Sequence, residues 1–416
     1  MSDAQAAIPT RLRSKQRGQA IAGLGVGQIL SWGSTFYLLA VLADPITTDT
    51  GWPKSIVVAG VSVGLVVAGL ASPRIGALVA GNHGRAVLIF SALLLAAGLV
   101  VLGCAQSQWW YLGAWVILGL GMSGGLYNGA FAILGHTYGA SARSAITFVT
   151  LFGGFASSVC WPLSTLLVNE FGWRWTAFVY AGAHLLITAP LYALTIPTRP
   201  DASPTPNRPT SQNLEEHLSR APRWPLIVLV AMVITLGTSI AALMSMHMFS
   251  LLAGVGIAGA TAVALAALIG PSQVGARLIE LIVGRKHHPL WTLLIATFAT
   301  AAAILLLGVG ALTPLLLVII YGVGIGLSSI ASGTVPLALF GQHAYAKIMG
   351  RIALPSLLAQ AAAPIIGTAQ IEHVGHIYTL IWVGAAALIA FLLTVLLMLL
   401  EQRRRQPLMV HKGHPM

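Results

Sequence analysis

Two charged residues stand apart in this sequence. Arg277 and Glu280 lie in the stretch Gly270-Pro271-Ser272-Gln273-Val274-Gly275-Ala276-Arg277-Leu278-Ile279-Glu280, inside an apolar segment, whereas every other charged residue falls in a loop or a tail. A charge at bilayer depth costs about 3 kcal/mol or more, so it persists only where it lines a cavity or has a partner. A guanidinium there offers paired N–H donors that match the oxygens of a carboxylate or phosphate. Arg277 is therefore the candidate anchor for an oxygen anion. Glu280 follows it by three residues and shares its helix face. It is read as a coupling or gate residue, with a structural salt bridge to Arg277 as the alternative.

Further polar and aromatic groups sit in apolar segments. Gln28 and Thr35 recur with Ser31 at helical spacing, which predicts one polar face, and Trp32 and Tyr37 add an aromatic wall. Interhelical hydrogen bonding is the other use such residues serve. Tyr127, Asn128, Trp161, Gln273, His247 and Gln360 complete the candidate substrate-binding set. His184 is read as a structural histidine. Met244 and Met248 lie four apart, so their thioethers share a helix face that could suit Cu(I), or could fill a core.

These groups must be positioned by membrane helices. Of 416 residues, 57% are hydrophobic and 8% charged, against about 25% charged in soluble domains. Mean hydropathy is +0.85. At about 20 apolar residues per crossing, twelve spans emerge: 19–43, 54–79, 87–105, 109–135, 143–169, 173–195, 225–253, 259–284, 289–309, 314–340, 348–371 and 377–400. The expected fold is an all-α membrane protein of two six-helix bundles, residues 19–195 and 225–400. A cytoplasmic tail (1–18) precedes them, a linker rich in Pro, Ser, Thr and Arg (196–224) joins them, and a basic tail (401–416) follows. A short helix is conceivable near Leu214–Leu218. The polar first residues, Met1 to Arg17, lack the apolar run of a cleaved signal.

Charge placement sets the orientation. Of the 22 Lys and Arg residues, 19 fall in the tails, the linker and alternate loops, and only Lys54 and Arg174 fall on the other side. The positive-inside rule then puts both termini in the cytoplasm. The net charge of +12 is a topology signal, and it calls for no nucleic-acid partner. Cys104 and Cys160 lie in apolar runs, so no disulfide framework is implied. Arg277 precedes Arg285 by eight residues, which places it about 12 Å into the membrane, near the midplane.

An internal repeat is visible. Gly76-Ala77 matches Gly275-Ala276 at an offset of 199, Gly119-x-Gly121 matches Gly322-x-Gly324 at 203, Pro162 matches Pro364 at 202, and Gly172 matches Gly375 at 203. Six spans separate the copies, so the repeats run parallel.

Several runs then point to a family. They are Thr50-Gly51-Trp52-Pro53-Lys54-Ser55, Ser72-Pro73-Arg74-Ile75-Gly76, Gly119-Leu120-Gly121-Met122-Ser123-Gly124-Gly125, Gly153-Gly154-Phe155-Ala156-Ser157-Ser158 and Gly172-Trp173-Arg174. Together they resemble the major facilitator superfamily and, within it, the monocarboxylate and oxalate/formate porters. The resemblance implies that Arg277 corresponds to an arginine that binds the substrate carboxylate. The sequence departs from the pattern too. Gln273 stands where proton-coupled members carry an aspartate, and about Tyr37 where they carry a lysine. The loop 76–85 has no aspartate, although Gly84-Arg85 survives; Arg85 is grouped with Glu280 as a coupling or gate residue.

No enzyme signature or phosphate-binding loop occurs, and no cofactor or resident metal is implied. The expectation is a monomeric secondary transporter of the inner (plasma) membrane. It would carry a small organic anion, such as a monocarboxylate, by alternating access, with a coupling proton left open. Efflux of amphipathic drug-like compounds is the alternative, followed by copper transport and by a membrane sensor that transports nothing.

Overall fold

The structure, a computed structural model, describes residues 10–197, 224–257 and 259–405. Most of the linker, including the conceivable helix at Leu214–Leu218, and the end of the C-terminal tail lie outside the described residues. Every regular element among those described is helical, as hydrocarbon requires of a chain that satisfies its own backbone polar groups.

In chain order the α-helices are α1 (Thr10–Gly33), α2 (Leu39–Thr50), α3 (Lys54–Ala80), α4 (Gly84–Gly103), α5 (Gln108–Gly125), α6 (Tyr127–Tyr138), α7 (Ala142–Gly154), α8 (Ala156–Ala183), α9 (Ala189–Thr195), α10 (Trp224–Gly254), α11 (Gly259–Ala267), α12 (Ile269–Val283), α13 (Pro289–Gly308), α14 (Pro314–Val374) and α15 (His376–Arg405). Nine continuous helical stretches among the described residues are long and apolar enough to cross a membrane. Two are far longer than one crossing. Residues 142–195 kink at Gly172 (φ 80°, ψ 170°) and Pro314–Val374 at Gly341 (φ 72°, ψ 169°), each in the left-handed region that glycine alone adopts at little cost. The pairs that hydropathy divides into 143–169 and 173–195, and into 314–340 and 348–371, thus meet end to end, with a non-helical glycine between two helices in each case.

Several stretches expected to be single helices are interrupted. Between α1 and α2 the backbone widens, and Tyr37 N–H donates to Trp32 O at 3.0 Å, an i→i+5 bond. Leu126 (φ −91°, ψ −176°) is extended between α5 and α6. Phe155 separates α7 from α8, and Leu268 separates α11 from α12. A fifth irregularity is a π-helical turn at His184–Thr188, and Ser34 Oγ lies 2.8 Å from His184 Nε2, joining it to the widened turn before α2.

The glycine repeat has a packing cause. A Cβ on Gly119 would meet Gly64 and Val67 of α3, and one on Gly322 would meet Ile269 and Ser272 of α12. Likewise Gly121 backs onto Leu95 of α4, and Gly324 onto Thr300 of α13. Corresponding glycines thus face corresponding helices in the two halves of the chain, where small residues let backbones approach.

The halves meet where α6 packs on α14, with Gln342 Nε2 donating to His136 O at 2.7 Å and Gly135 against the Tyr345 ring, and along two seams related by the repeat. In the first, α3 lies against the later part of α14. Ser62 Oγ donates to Ala361 O at 3.2 Å, Gly69 faces Leu354 O, and a Cβ on Gly76 would lie 3.1 Å from Gly350 Cα. This seam covers residues 62 to 76, about 20 Å of helix. In the second, α7 meets α12 only from Arg143 to Gly154. Beyond Phe155, α8 turns a face to open space: Ser157, Ser158, Trp161, Thr165, Asn169 and Glu170 line an open cavity of about 680 Å³. The cavity opens away from the face that carries Arg143, Lys286 and Lys347.

Candidate functional site

Arg277 lies in the second seam against Gly154, about one turn before the first residue that lines that cavity. Only 4% of it is exposed. Its Nε donates to Ser329 Oγ of α14 (3.2 Å), Nη1 to the Thr150 carbonyl of α7 (3.0 Å) and Nη2 to Gln273 Oε1 one turn back (3.2 Å). Gly154 leaves the room for this: a Cβ there would strike Nη1. A guanidinium has five N–H groups. Two of them, one on each terminal nitrogen, have no acceptor among the described residues. No ion pair among those residues includes Arg277.

Glu280 does not pair with Arg277, which overturns the salt bridge suggested by their spacing. It is 7% exposed, and its Oε1 accepts from Arg143 Nη2 (3.1 Å) and from Thr292 Oγ1 of α13 (2.8 Å), while Oε2 lies 3.6 Å from His287 Nε2. Arg143 also donates to His287 O. Sharing a helix face brings Cβ atoms close. Here the neighbouring helices decide where the long side chains end, Arg277 toward α7 and α14 and Glu280 toward α13 and the start of α7.

The N-terminal half contributes aromatic rings. Trp161 packs edge-on against Tyr37 (centroids 5.8 Å), Tyr37 lies 6.0 Å from Trp32, and Trp32 lies 5.1 Å from Tyr127, which stacks on Phe131 at 5.1 Å. Most of their polar edges are already used. Trp32 Nε1 donates to Gln28 Oε1 (3.1 Å), Trp161 Nε1 to Tyr37 O (3.3 Å) and Tyr127 Oη to Thr150 O (3.3 Å). Thr150 O therefore accepts from both Tyr127 and Arg277. Gln28 Nε2 in turn donates to Gly125 O at 2.7 Å, satisfying a carbonyl at the break between α5 and α6. Tyr37 and Tyr127 both lie within electrostatic reach of Arg277. The Tyr37 hydroxyl has no hydrogen-bond partner among the described residues.

Arg277, Gln273, Trp32, Tyr37, Tyr127 and Trp161 are thus brought together, with Gln28 behind them. Thr35 is fully buried and donates to Ser31 O (2.5 Å), so it serves the backbone of α1 and the widened turn. Asn128 and Gln360 are half-buried without hydrogen bonds among the described residues. His247 is used elsewhere: its Nε2 lies 2.9 Å from Pro364 O, the proline's own carbonyl in α14. Arg85 donates to Ala193 O at the end of α9, a tie within the N-terminal half. His184 pairs with Ser34 but leaves Nδ1 unpartnered and buried, so it is only half satisfied. Met244 and Met248 are buried in an apolar cluster with Leu251, Leu252 and Ile304, where they fill a core. Among the described residues, no group of three or more His, Cys, Asp or Glu could hold a metal.

Three contributors escaped the sequence reading. Ser329 carried a signal, a hydroxyl in an apolar run. Arg143 looked like one more basic loop residue. The Thr150 carbonyl carried none, because backbone groups have no sequence signature.

Comparison with protein families matches residues 24–354 to the Major Facilitator Superfamily, and the chain belongs to it. Its members are membrane transporters, which makes this a multi-pass membrane protein of the transporter class. Comparison with curated protein sequences gives no match. Among solved structures, the human organic anion transporter MFSD10 (TETRAN) superposes with a TM-score of 0.68 at 16% identity, over 91% of this chain and 99% of that one. The proton:xylose symporter XylE, bound to 6-bromo-6-deoxy-D-glucose, superposes at 0.67 with 13% identity, over 91% and 95%. At these identities the likeness is one of fold.

Proposed function

We propose that this transporter carries a small organic anion through a site anchored by Arg277. One observation carries the reading: a cation 4% exposed, held by three neutral acceptors, with two N–H groups uncommitted and no acid paired to it among the described residues. A buried charge without a counter-charge is costly, and an anionic substrate supplies what the protein withholds. That a structural neighbour is an organic anion transporter agrees with this.

The architecture supports alternating access. We read twelve spans in two six-helix bundles, residues 19–195 and 225–400, taking α1 and α2 as one crossing and dividing the two long stretches at Gly172 and Gly341. With the basic face in the cytoplasm of an inner or plasma membrane, the second seam is closed inside by Arg143, Glu280 and His287 and open outside. Rocking of the bundles would exchange those states, with Glu280 as a gate. We read the monomer as the working unit. Monocarboxylates are the substrate group the resemblance favours.

Efflux of neutral amphipathic compounds is the second reading, favoured by the ring faces exposed to the cavity. Uptake of radiolabelled acids into proteoliposomes, compared between the wild type and Arg277→Ala, separates the two. Loss of acid transport is expected. Unchanged acid transport would remove Arg277 from the mechanism.

A further inference from the structure

The two ends of the site differ in chemistry, and the difference specifies more than an anion. Near Arg277 the C-terminal half offers Gln273 and Ser329, both already bonded to the guanidinium. The N-terminal half offers Trp161, Tyr37, Trp32 and Tyr127 as a continuous row of rings reaching from the cavity to within electrostatic reach of the cation. Trp161 is 44% exposed on the cavity, and the other three are half-buried. Both indole N–H groups and the Tyr127 hydroxyl are spent on protein acceptors. What these rings show a substrate is carbon, apart from the Tyr37 hydroxyl within electrostatic reach of the arginine, while Ser157, Ser158, Thr165, Asn169 and Glu170 line the cavity around Trp161.

We propose that the transported anion is an aryl monocarboxylate, a flat aromatic ring bearing one carboxylate. This rests on the reading of Arg277 as the anion anchor. The carboxylate takes the two uncommitted N–H groups of Arg277 and the Tyr37 hydroxyl, and the ring lies against Trp161 and Trp32. The wall rejects the other shapes of organic acid for stated reasons. A short aliphatic acid satisfies Arg277 but leaves the ring faces uncovered and gains no π contact. A dicarboxylate must strip water from a second charge, and the described residues that line the cavity include no Lys or Arg to receive it.

The test uses the purified full chain in detergent, with four probes followed by thermal unfolding and equilibrium binding: benzoate, acetate, benzamide and terephthalate. A ligand that binds the folded state raises its unfolding temperature with concentration. Benzoate is expected to bind about tenfold tighter than acetate, with benzamide and terephthalate without effect. Trp161→Leu, on the cavity surface where folding is least at risk, should lower benzoate affinity toward that of acetate and leave acetate unchanged. Trp32→Leu should act in the same direction, and Arg277→Gln should remove binding of both acids. Equal affinities for benzoate and acetate, or a Trp161→Leu variant that keeps the preference, would overturn the aryl assignment while leaving the anion reading in place. Tight benzamide binding that survives Arg277→Gln would overturn the anion reading itself, as would the absence of binding by either acid. Preference for terephthalate would overturn the single-charge assignment.

Discussion

The two seams between the halves of the chain occupy related places in the internal repeat, yet they are built from opposite materials. Gly76 and Gly275 correspond in sequence. In the α3–α14 seam a Cβ on Gly76 would run into Ala346 O and Gly350, whereas around Gly275 there is open space. The first seam is closed along about 20 Å of helix, by close backbone approach from Gly69 to Gly76 and by packed side chains such as Leu65, Ala68 and Leu357 before it. The second is closed at one end only, by Arg143, Glu280 and His287, and holds an uncompensated cation at the point where it begins to open. Backbone-to-backbone packing has one close-fitting arrangement. Long side chains reaching across a gap can release and re-form. On the proposed reading, the first seam would act as the hinge, and the second would hold the gate and the substrate site.

Removing the cation should have the largest effect. Truncating one member of a buried charge pair costs about 2–5 kcal/mol, so Arg277→Ala should weaken acid binding at least about 30-fold, measured by equilibrium binding. An affinity within a few-fold of wild type would dissolve the distinction between the seams. Next comes the gate. Glu280→Gln leaves Arg143 without its carboxylate, and breaking a buried pair costs about 3 kcal/mol. Reagent access to cysteines placed on the basic face should rise, while acid binding changes less than in Arg277→Ala. Unaltered access would show that the pair does not hold the seam shut. The smallest and sharpest comparison uses one substitution at two related positions. Gly76→Ala must push α14 away and should lower stability by about 1–3 kcal/mol. Gly275→Ala meets nothing and should raise it by about 0.5–1 kcal/mol through helix propensity. Thermal unfolding of both variants checks this, and a Gly275→Ala that destabilises as much as Gly76→Ala would erase the asymmetry.

Much of this was legible in the residues. The charge census isolated Arg277 because a bilayer makes intramembrane charge conspicuous, and the matched glycines followed from helices that must touch in the same order twice. The interruptions at Leu126, Phe155 and Leu268 were not legible. Hydropathy records what a segment is made of, and the neighbouring Gly124-Gly125, Gly153-Gly154 and Gly270-Pro271 do not single out a break, because glycine and proline are frequent throughout membrane helices. Partner choice was hidden for a different reason. The spacing of Arg277 and Glu280 predicts adjacency on one helix, but long side chains go to whichever neighbouring helix offers an acceptor, and that depends on tertiary packing. His247 shows the same effect, turning from the cavity to the carbonyl at Pro364. The aromatic row lay in plain view as Trp32, Tyr37, Tyr127 and Trp161, but its loss of hydrogen-bonding edges emerged only with Gln28, Thr150 and the Tyr37 carbonyl in place.

The bond from Arg277 to the Thr150 carbonyl has a kinetic consequence. It is the arginine's one tie to the opposite half of the chain, so parting the second seam must break it. An unloaded protein would then cross between its two orientations with three unsatisfied donors on a desolvated cation, whereas a loaded one would cross with the anion in their place. The empty return becomes the slow leg of the cycle. Acid supplied on both sides of a vesicle should therefore exchange faster than acid on one side accumulates, and trans-stimulated counterflow of labelled acid is the assay. Equal rates in the two arrangements would mean that the Thr150 tie does not govern the return.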